Sequence, residues 1–331
     1  ANANISNFFT QASCKDPAGN LYVAGQTMVN VIGYPIQQRD LRIIKISGIN
    51  HTIIWDKVIG VSLSQLSDSA TDMKCGATHV SIGGVFTEGV HPSVQGPPQS
   101  YDQDNFLLRL SNTSGSTVFL SKFKGNVAGY TDPNGKYIDH IGKILIDSNG
   151  NTYALGGHGL VQMSPYLAGK AHWMIYKINS AGTVLWQQNA RGPYEDPDPY
   201  YARNWITSAA LSADELSLYV SGAMSTSFDW TNAGLLSINT TSGIILTTRI
   251  LTKGVLDDFE ILVASDIGTD LSGNVYFIGN GGDYTTGSNT LFTVKMDFTL
   301  NLMLWEKRLH PSIWNQPVSL EKLHVASNGT V

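Results

Sequence analysis

The sequence predicts an all-β protein built from repeated four-stranded units, and three features support this prediction. First, a segment of the form Asp-x-x-Gly-Asn-x-Tyr occurs at residues 16–22, 147–153 and 270–276. Second, each copy is followed by an apolar segment and then by a large apolar residue at a fixed distance. Third, these copies and weaker ones cover nearly the whole chain of 331 residues.

Each copy of the first segment predicts a strand, a tight turn and a second strand. The Asp carboxylate can accept hydrogen bonds from backbone N–H groups further along the turn, and Gly-Asn supplies positive φ angles. Weaker copies lie at residues 75–83 and 214–222. A glycine ends every copy, and we expect another backbone to pass close to it. These glycines are Gly25, Gly83, Gly156, Gly222 and Gly279.

The second signature predicts a hairpin. An apolar strand ends near a Lys, Arg or Ser, and a large apolar residue follows nine or ten positions later. The five pairs are Lys45 with Trp55, Arg109 with Phe119, Lys177 with Trp186, Ser237 with Leu246, and Lys295 with Trp305. We expect the three Trp residues to pack between units. Each unit therefore has four strands.

The spacing of the units predicts a β-propeller, because periods of this size with four strands each are typical of propeller blades. The Tyr position of the repeat falls at residues 22, 80, 153, 219 and 276. We predict a single propeller domain, residues 1–331, with five complete blades and the start of a sixth. The blades span approximately 8–66, 67–128, 140–192, 204–256 and 260–318, and the partial blade spans 319–331.

The pattern Asp-x-x-Gly-Asn-x-Tyr-Val-x-Gly, an apolar strand ending in Lys-Ile, and then Gly-x-x-x-Trp resembles the bacterial-type β-propeller repeats. These include the SBBP repeats and the related quinoprotein-like repeats. The resemblance covers nearly the whole chain, although the second and fourth copies depart from the pattern. It implies a propeller fold and leaves the function open, because such blades serve enzymes, scaffolds and adhesins.

Composition excludes some classes of function. The net charge is −5 and Lys and Arg form no stripe, which argues against nucleic acid as a partner. No apolar run approaches 18 residues, so we expect no membrane span. The eight His residues form no zinc motif, and we predict no metal site and no cofactor.

Several features indicate an extracellular or cell-surface location. Sequons for N-linked glycans start at Asn4, Asn50, Asn112, Asn239 and Asn328. The middle three fall in the turn between the third and fourth strands of their blades. Cys14 and Cys75 end consecutive innermost strands, so we expect a disulfide between them; two buried free thiols are the alternative.

The loop at residues 191–205 is the most distinctive connection in the sequence. It carries aromatic side chains beside charged ones, which suit a sugar or a protein partner. The candidate contact residues are Arg191, Tyr194, Tyr200, Tyr201, Arg203 and Trp205. A plain connector and a weak calcium site at Asp196 and Asp198 are the alternatives.

No catalytic motif is present in the sequence, so the favoured hypothesis is a non-enzymatic extracellular glycoprotein. It would be a scaffold that contacts itself or other extracellular proteins. An incomplete sixth blade offers a free strand edge, and strand addition in trans could build filaments. The alternative is a secreted carbohydrate-active enzyme, a hydrolase or lyase, or a carbohydrate-binding propeller, with its site at the channel mouth. A hydrolase or lyase would bring carboxylates together with Arg191 or Arg203.

Overall fold

The computed structural model describes residues 8–30, 37–60, 68–88, 102–123, 137–163, 166–168, 172–192, 204–227, 230–251, 261–283, 288–309, 322–326 and 329–330. These residues form strands and turns, with no helix among them. No helix in this part of the chain is therefore long and apolar enough to cross a membrane.

The fold is a β-propeller with five four-stranded antiparallel blades, as predicted from the repeats. Blade one contains β1 (Phe8–Lys15), β2 (Leu21–Asn30), β3 (Gln37–Ile46) and β4 (Ile53–Ile59). Blade two contains β5 (Asp68–Cys75), β6 (His79–Glu88), β7 (Asp102–Ser111) and β8 (Thr117–Phe123). Blade three contains β9 (Tyr137–Ile146), β10 (Thr152–Met163), the short β11 (Tyr166–Ala168), β12 (His172–Ile178) and β13 (Val184–Ala190).

The remaining strands form the last two blades. Blade four contains β14 (Trp205–Leu211), β15 (Ser217–Ser227), β16 (Trp230–Asn239) and β17 (Ile245–Leu251). Blade five contains β18 (Ile261–Thr269), β19 (Val275–Asp283), β20 (Ser288–Met296) and β21 (Met303–Leu309). Within each blade the four main strands follow the order of the chain. In blade three the short β11 pairs with β10 outside this order, and a parallel bridge between β7 and β9 joins blades two and three.

The chain divides into two compact units. The first comprises residues 1–166 and 178–185, and the second comprises residues 167–177 and 186–331. A core cluster in the first unit joins blades one and two and includes Tyr22, Trp55 and Phe106. A core cluster in the second unit joins blades four and five and includes Tyr219, Phe277 and Phe292. Whether the chain is a single domain stays a prediction.

The glycine of the repeat has the function expected from the sequence. A Cβ atom on Gly25 would lie 2.0 Å from the main-chain O of Phe9 in the neighbouring strand. The corresponding distances are 2.1 Å for Gly222 and 2.3 Å for Gly279. A β-bulge in the first strand of each blade brings this carbonyl close, for example between Thr10 and Ala12.

In blade two, the register predicted from the sequence is wrong by one residue. Gly84, not Gly83, faces the carbonyl of the first strand, 2.0 Å from O of Ser69. Ser81 is correspondingly the partner of Arg109, as Tyr22 is of Lys45, so Ser81 and not Val80 occupies the Tyr position. The cause is a turn that is one residue shorter: four residues separate Cys75 from Val80, and five separate Lys15 from Leu21.

The large residue of the fourth strand packs against the next blade, as predicted. Trp55 contacts Gly115, Phe119 contacts Gly182, and Trp186 contacts Gly243. These glycines have positive φ angles of 67°, 90° and 74°, and a Cβ atom on each would approach the ring to 2.9 Å or less. Blade five differs, because Leu300 adopts φ 61° at the equivalent turn and is itself fully buried.

A disulfide joins Cys14 and Cys75, as the sequence predicted. Their Cα atoms are 5.7 Å apart, at the ends of β1 and β5. In the second unit, residues 322–326 lie beside blade five, where N of Leu323 donates to Oδ2 of Asp266 at 2.8 Å. The next residues repeat the blade turn, since N of Ala326 donates to O of Thr330 at 2.9 Å. The start of a sixth repeat is therefore present.

Candidate functional site

Each blade has two different edges. Because the strands alternate in direction, the turns after the first and third strands lie at one edge, which we call the turn edge. The connections after the second strand and between blades leave the opposite edge, which we call the loop edge. The turns at the turn edge are short and repeated, whereas the connections at the loop edge vary in length and sequence. Variable loops on a rigid scaffold are where binding and catalysis concentrate.

At the turn edge, the Asp of the repeat serves the structure. Asp16 accepts hydrogen bonds from N of Asn20 at 2.8 Å and from the hydroxyl of Tyr22 at 3.1 Å. Nζ of Lys45 lies 3.8 Å from its Oδ2 atom. Burial raises the pKa of Asp16, but the bonds from Asn20 and Tyr22 and the charge of Lys45 outweigh it and leave the pKa below its usual value. The carboxylate is fully engaged.

Blade five repeats this arrangement. Asp270 accepts from N of Asn274 at 2.9 Å and from the hydroxyl of Tyr276 at 2.9 Å, with Nζ of Lys295 at 3.7 Å. Burial again raises the pKa of Asp270, and the hydrogen bonds and the lysine charge again lower it further than burial raises it. These charged residues of the repeat therefore stabilise the turns.

The loop edge of blade two carries two buried carboxylates on one face. Asp68 pairs with Phe86, and Phe86 pairs with Asp104, so the three side chains form a row across β5, β6 and β7. Asp68 is 0% exposed and Asp104 is 2% exposed. Residues two strands apart have Cα atoms about 10 Å apart. Nζ of Lys122 lies 4.4 Å from the centroid of the Phe86 ring and places a positive charge beside the row.

Two polar side chains accompany this row. Gln26 of blade one donates from Nε2 to the main-chain O of Asp68 at 3.0 Å, which holds the start of β5 in place. Asn105 follows Asp104 in β7, so its side chain lies on the opposite face of the sheet from the row. It is 0% exposed, and in the described part of the chain neither Oδ1 nor Nδ2 of its amide has a hydrogen-bond partner. A buried amide without partners costs about 1–3 kcal/mol per group.

The pair of carboxylates is specific to blade two among the equivalent rows that the structure describes. The third-strand position of Asp104 is buried and polar in other blades as well, as Asp40, Asn232 and Thr290. The first-strand position of Asp68 is Phe8 in blade one and Leu262 in blade five. Aligning the blades on their glycines would have identified Asp68 as the exception, but the shortened turn of blade two hides that alignment.

Most of the predicted contact loop lies outside the described residues, including Tyr194, Tyr200, Tyr201 and Arg203. Its base is described: N of Gly192 donates to Oδ1 of the buried Asn204 at 3.1 Å, which holds the two ends of the loop together. Arg191 is exposed at one end, and Trp205 begins β14 at the other. Asp196 and Asp198 are also outside the described residues, so a meeting of carboxylates with Arg191 or Arg203 stays a prediction.

The predicted glycan sites differ in their surroundings. Asn50 is exposed and Asn239 is partly exposed, both in turns between third and fourth strands. Asn112 is only 6% exposed, and its Nδ2 atom, to which a glycan would be attached, donates to O of Gly76 at 2.9 Å. Asn4 and Asn328 are outside the described residues. In the described part of the chain, no group of three or more His, Cys, Asp or Glu residues could hold a metal ion.

Comparison with known proteins gives a fold and no family. No protein-family model and no curated protein sequence matches the chain. The structure of an ulvan lyase, a polysaccharide lyase of family PL25, aligns with 92% of this chain and 73% of its own, with 13% identity and a TM-score of 0.50. A xylan β-1,4-xylosidase from Bacillus halodurans C-125 aligns with 96% of this chain and 60% of its own, with 11% identity and a TM-score of 0.35. A Hadza microbial sialidase aligns with 85% and 56%, with 11% identity and a TM-score of 0.41.

These comparisons correct the favoured hypothesis from the sequence. A non-enzymatic scaffold that forms filaments was the leading expectation, and it is contradicted: the ulvan lyase to which this chain is similar is a carbohydrate-active enzyme, which agrees with the alternative expectation. The repeats carry no catalytic motif, so the incomplete sixth blade was the feature that favoured a scaffold. At 13% identity or less the likeness itself extends to the fold. Activity must be argued from the site.

Proposed function

We propose that this protein is a carbohydrate-active enzyme that hydrolyses a polysaccharide at the loop edge of blade two. The observation that carries the proposal is the buried pair of Asp68 and Asp104 on one face, separated by a single strand. Glycoside hydrolysis needs two carboxyl groups, one protonated as general acid and one ionised as base or nucleophile. Inverting enzymes hold the two carboxyl groups about 6.5–9.5 Å apart, which the two-strand separation of about 10 Å between Cα atoms accommodates.

The surroundings of the pair suit this chemistry. Burial of two carboxyl groups on the same face favours unequal protonation, because two like charges in a low-dielectric site cannot both be ionised at low cost. The charge of Lys122 beside Phe86 favours the ionised form of a carboxyl group near it.

The first experiment is a screen of the purified protein against neutral and acidic polysaccharides, with two readouts. Hydrolysis releases new reducing ends without a double bond, whereas elimination also gives an unsaturated sugar that absorbs in the ultraviolet. We expect reducing ends alone. An unsaturated product would show a lyase and contradict the assignment of Asp68 and Asp104 as a hydrolytic pair.

The variants Asp68→Asn and Asp104→Asn test the site on the substrate found in the screen. Each is isosteric and should lower kcat by at least about 100-fold, the scale of lost general acid–base catalysis. The matched control is Asp40→Asn, which changes the same strand position in blade one. Its activity should stay within about twofold of the parent. Equal losses in all three variants would indicate a structural function for the position.

Extracellular location is part of the proposal. The Cys14–Cys75 disulfide suits an oxidising compartment, and Asn50 and Asn239 are accessible positions for glycans. We leave Asn112 out, because its amide is buried and bonded. Intact mass before and after glycosidase treatment tests this directly. Glycosylation of the native protein at Asn50 or Asn239 is expected, and the unmodified mass would contradict it.

A further inference from the structure

A cavity of about 360 Å³ lies at the turn edge between blades two and three, away from the proposed catalytic pair. It is lined by the blade-two turn at residues 76–79, by Arg109, and by the blade-three turn at residues 146–150. All of these residues belong to the first compact unit. The volume is within the range of about 300–1,000 Å³ typical of small-molecule sites. It is larger than a single simple anion needs.

The cavity exists because blade two departs from the repeat. Where blade one has Asp16 at the start of its turn, blade two has Gly76. Ser81 stands where Tyr22 stands in blade one, and Arg109 stands where Lys45 stands. His79 ends the shortened turn. Blade two has thus lost the carboxylate of its own turn and kept the cation that accompanies it.

Arg109 is held rigidly and is 1% exposed. Its Nη2 atom donates to O of Gly150 at 2.7 Å and to the hydroxyl of Thr152, and its Nε atom donates to Oγ of Ser81 at 3.3 Å. The guanidinium carbon lies 5.3 Å from the centroid of the Phe119 ring. Of the three guanidinium nitrogens of Arg109, only Nη1 has no hydrogen-bond partner among the described residues. A buried guanidinium with only neutral hydrogen-bond acceptors favours an anionic ligand.

The carboxylate of Asp147 in blade three also lines the cavity, and its own turn holds it by hydrogen bonds. Asp147 accepts from N and Nδ2 of Asn151, each at 2.8 Å, and from the hydroxyl of Tyr153 at 3.2 Å. Burial lowers the pKa of Arg109, and the charge of Asp147 only partly opposes this effect. Lys45 and Lys295 each lie beside the carboxylate of their own blade's turn, whereas Arg109 has no such carboxylate in blade two.

Besides Arg109, Asp147 and the apolar Ala77 and Ile146, the lining contains hydrogen-bonding side chains. Thr78 and His79 form one wall, with the hydroxyl of Thr78 2.8 Å from Nδ1 of His79. Ser148 and Asn149 form part of the opposite wall. Burial and then the charge of Arg109 lower the pKa of His79, so the imidazole is neutral near pH 7 and can accept or donate hydrogen bonds. Hydroxyl, amide and imidazole groups around one cation suit the hydroxyls and the carboxylate of a sugar.

We propose that this cavity is a second carbohydrate site, which binds the carboxylate group of an acidic sugar at Arg109 and its hydroxyl groups at Thr78, His79 and Asn149. The site binds and does not cleave, and it does not require the catalytic pair of blade two. Its occupant replaces the missing turn carboxylate of the repeat. A polysaccharide containing uronic acids could therefore contact the propeller at both edges.

The sharpest test restores the carboxylate that the repeat has lost. A Cβ atom on Gly76 would meet only O of His79 at 3.4 Å and Cδ1 of Ile146 at 3.8 Å, so the position accepts a side chain. Gly76→Asp places a carboxylate where Asp16 stands in blade one, and Gly76→Ala is the matched control with the same Cβ and no charge. Glucuronate is titrated into the parent and both variants by calorimetry, with glucose and acetate as reference ligands.

The parent should bind glucuronate saturably. The Kd should stay within about twofold of the parent's value in Gly76→Ala. In Gly76→Asp it should be at least about tenfold higher, a difference of about 1.4 kcal/mol. Glucose should bind the parent no more tightly than glucuronate binds Gly76→Asp. NMR should show the pKa of His79 rising when glucuronate binds, because a nearby anion favours the imidazolium. Absent binding, or equal binding in Gly76→Asp, would overturn the proposal. Acetate binding as tightly as glucuronate would also overturn it and indicate a simple anion site.

The catalytic proposal and this one fail separately. Asp68→Asn and Asp104→Asn should leave glucuronate binding unchanged, because they lie at the opposite edge of blade two. Gly76→Asp should leave cleavage of a short neutral substrate unchanged. Loss of glucuronate binding in Asp68→Asn would contradict the independence of the cavity.

Discussion

The indole N–H of Trp55 donates to the main-chain oxygen of Asn112 in the next blade, at 3.1 Å. The same oxygen accepts from Nζ of Lys45 at 2.8 Å. Blade three repeats this contact, where Nε1 of Trp186 and Nζ of Lys177 donate to O of Thr240 at 2.9 and 3.0 Å. One carbonyl thus joins the third and fourth strands of a blade to the following blade. The repeat encodes the contact between blades as well as the blade itself.

Replacing this Trp should separate the hydrogen bond from the packing. Trp55→Phe keeps most of the ring and loses the indole donor, so it should cost about 1–2 kcal/mol of unfolding free energy. Trp55→Ala also opens a cavity and should cost about 3–5 kcal/mol. Urea denaturation measures both. Ile54→Ala is the control, because Ile54 is 48% exposed on the same strand and should cost less than about 1 kcal/mol.

Two glycines with similar φ angles should respond differently to alanine. Gly150 has φ 77° and open space where a Cβ would lie, so Gly150→Ala should cost about 1 kcal/mol from the backbone alone. Gly243 has φ 74°, and a Cβ would lie 2.7 Å from the ring of Trp186. Gly243→Ala should therefore cost at least about 2 kcal/mol more than Gly150→Ala. Equal losses in thermal and urea unfolding would mean that the ring contact contributes nothing.

The turn carboxylates should make stability fall in acid. The folded-state pKa values of Asp16 and Asp270 lie below the usual value for an aspartate. A carboxyl group with a lowered folded pKa stabilises the fold above its unfolded pKa, and the stabilisation is lost as the pH falls through the folded pKa. Unfolding free energy should thus be level above about pH 5 and fall below about pH 4. Asp16→Asn should be less stable at pH 7 and should show a shallower decline between pH 5 and pH 3.

The Cys14–Cys75 disulfide closes a loop with a sequence separation of 61 residues. In the chain-entropy model, such a loop stabilises the folded state by about 4 kcal/mol. The double variant Cys14→Ser, Cys75→Ser should lose about this amount in guanidinium denaturation. Reduction of the parent with a thiol should match it, and the double variant should not respond to the reductant. A reductant-sensitive variant would point to an effect outside this bond.

The sequence by itself determined the fold class, the number of blades, the disulfide and the packing of Trp55 and Trp186. These properties depend on local rules that repeat: Gly where an added Cβ atom would lie 2.0–2.3 Å from a neighbouring main-chain oxygen, and Asp-Gly-Asn where a turn needs positive φ. Five copies of one pattern made each rule visible. The order of the two functional hypotheses was wrong, because the repeated residues form the turns and the packing of the blades and give no information about catalysis.

Only the tertiary structure decided which polar residues share a face and which are buried. Asp68 and Asp104 are 36 positions apart in the sequence, and the pairing of β5, β6 and β7 brings them into one row. Gly76, His79 and Arg109 meet residues 146–150 of another blade to form the cavity. The shortened turn of blade two shifts its register by one residue, and a shift of one residue reverses which face each side chain occupies. That reversal is invisible without the strand pairing, and it is the reason that the sequence could not locate either site.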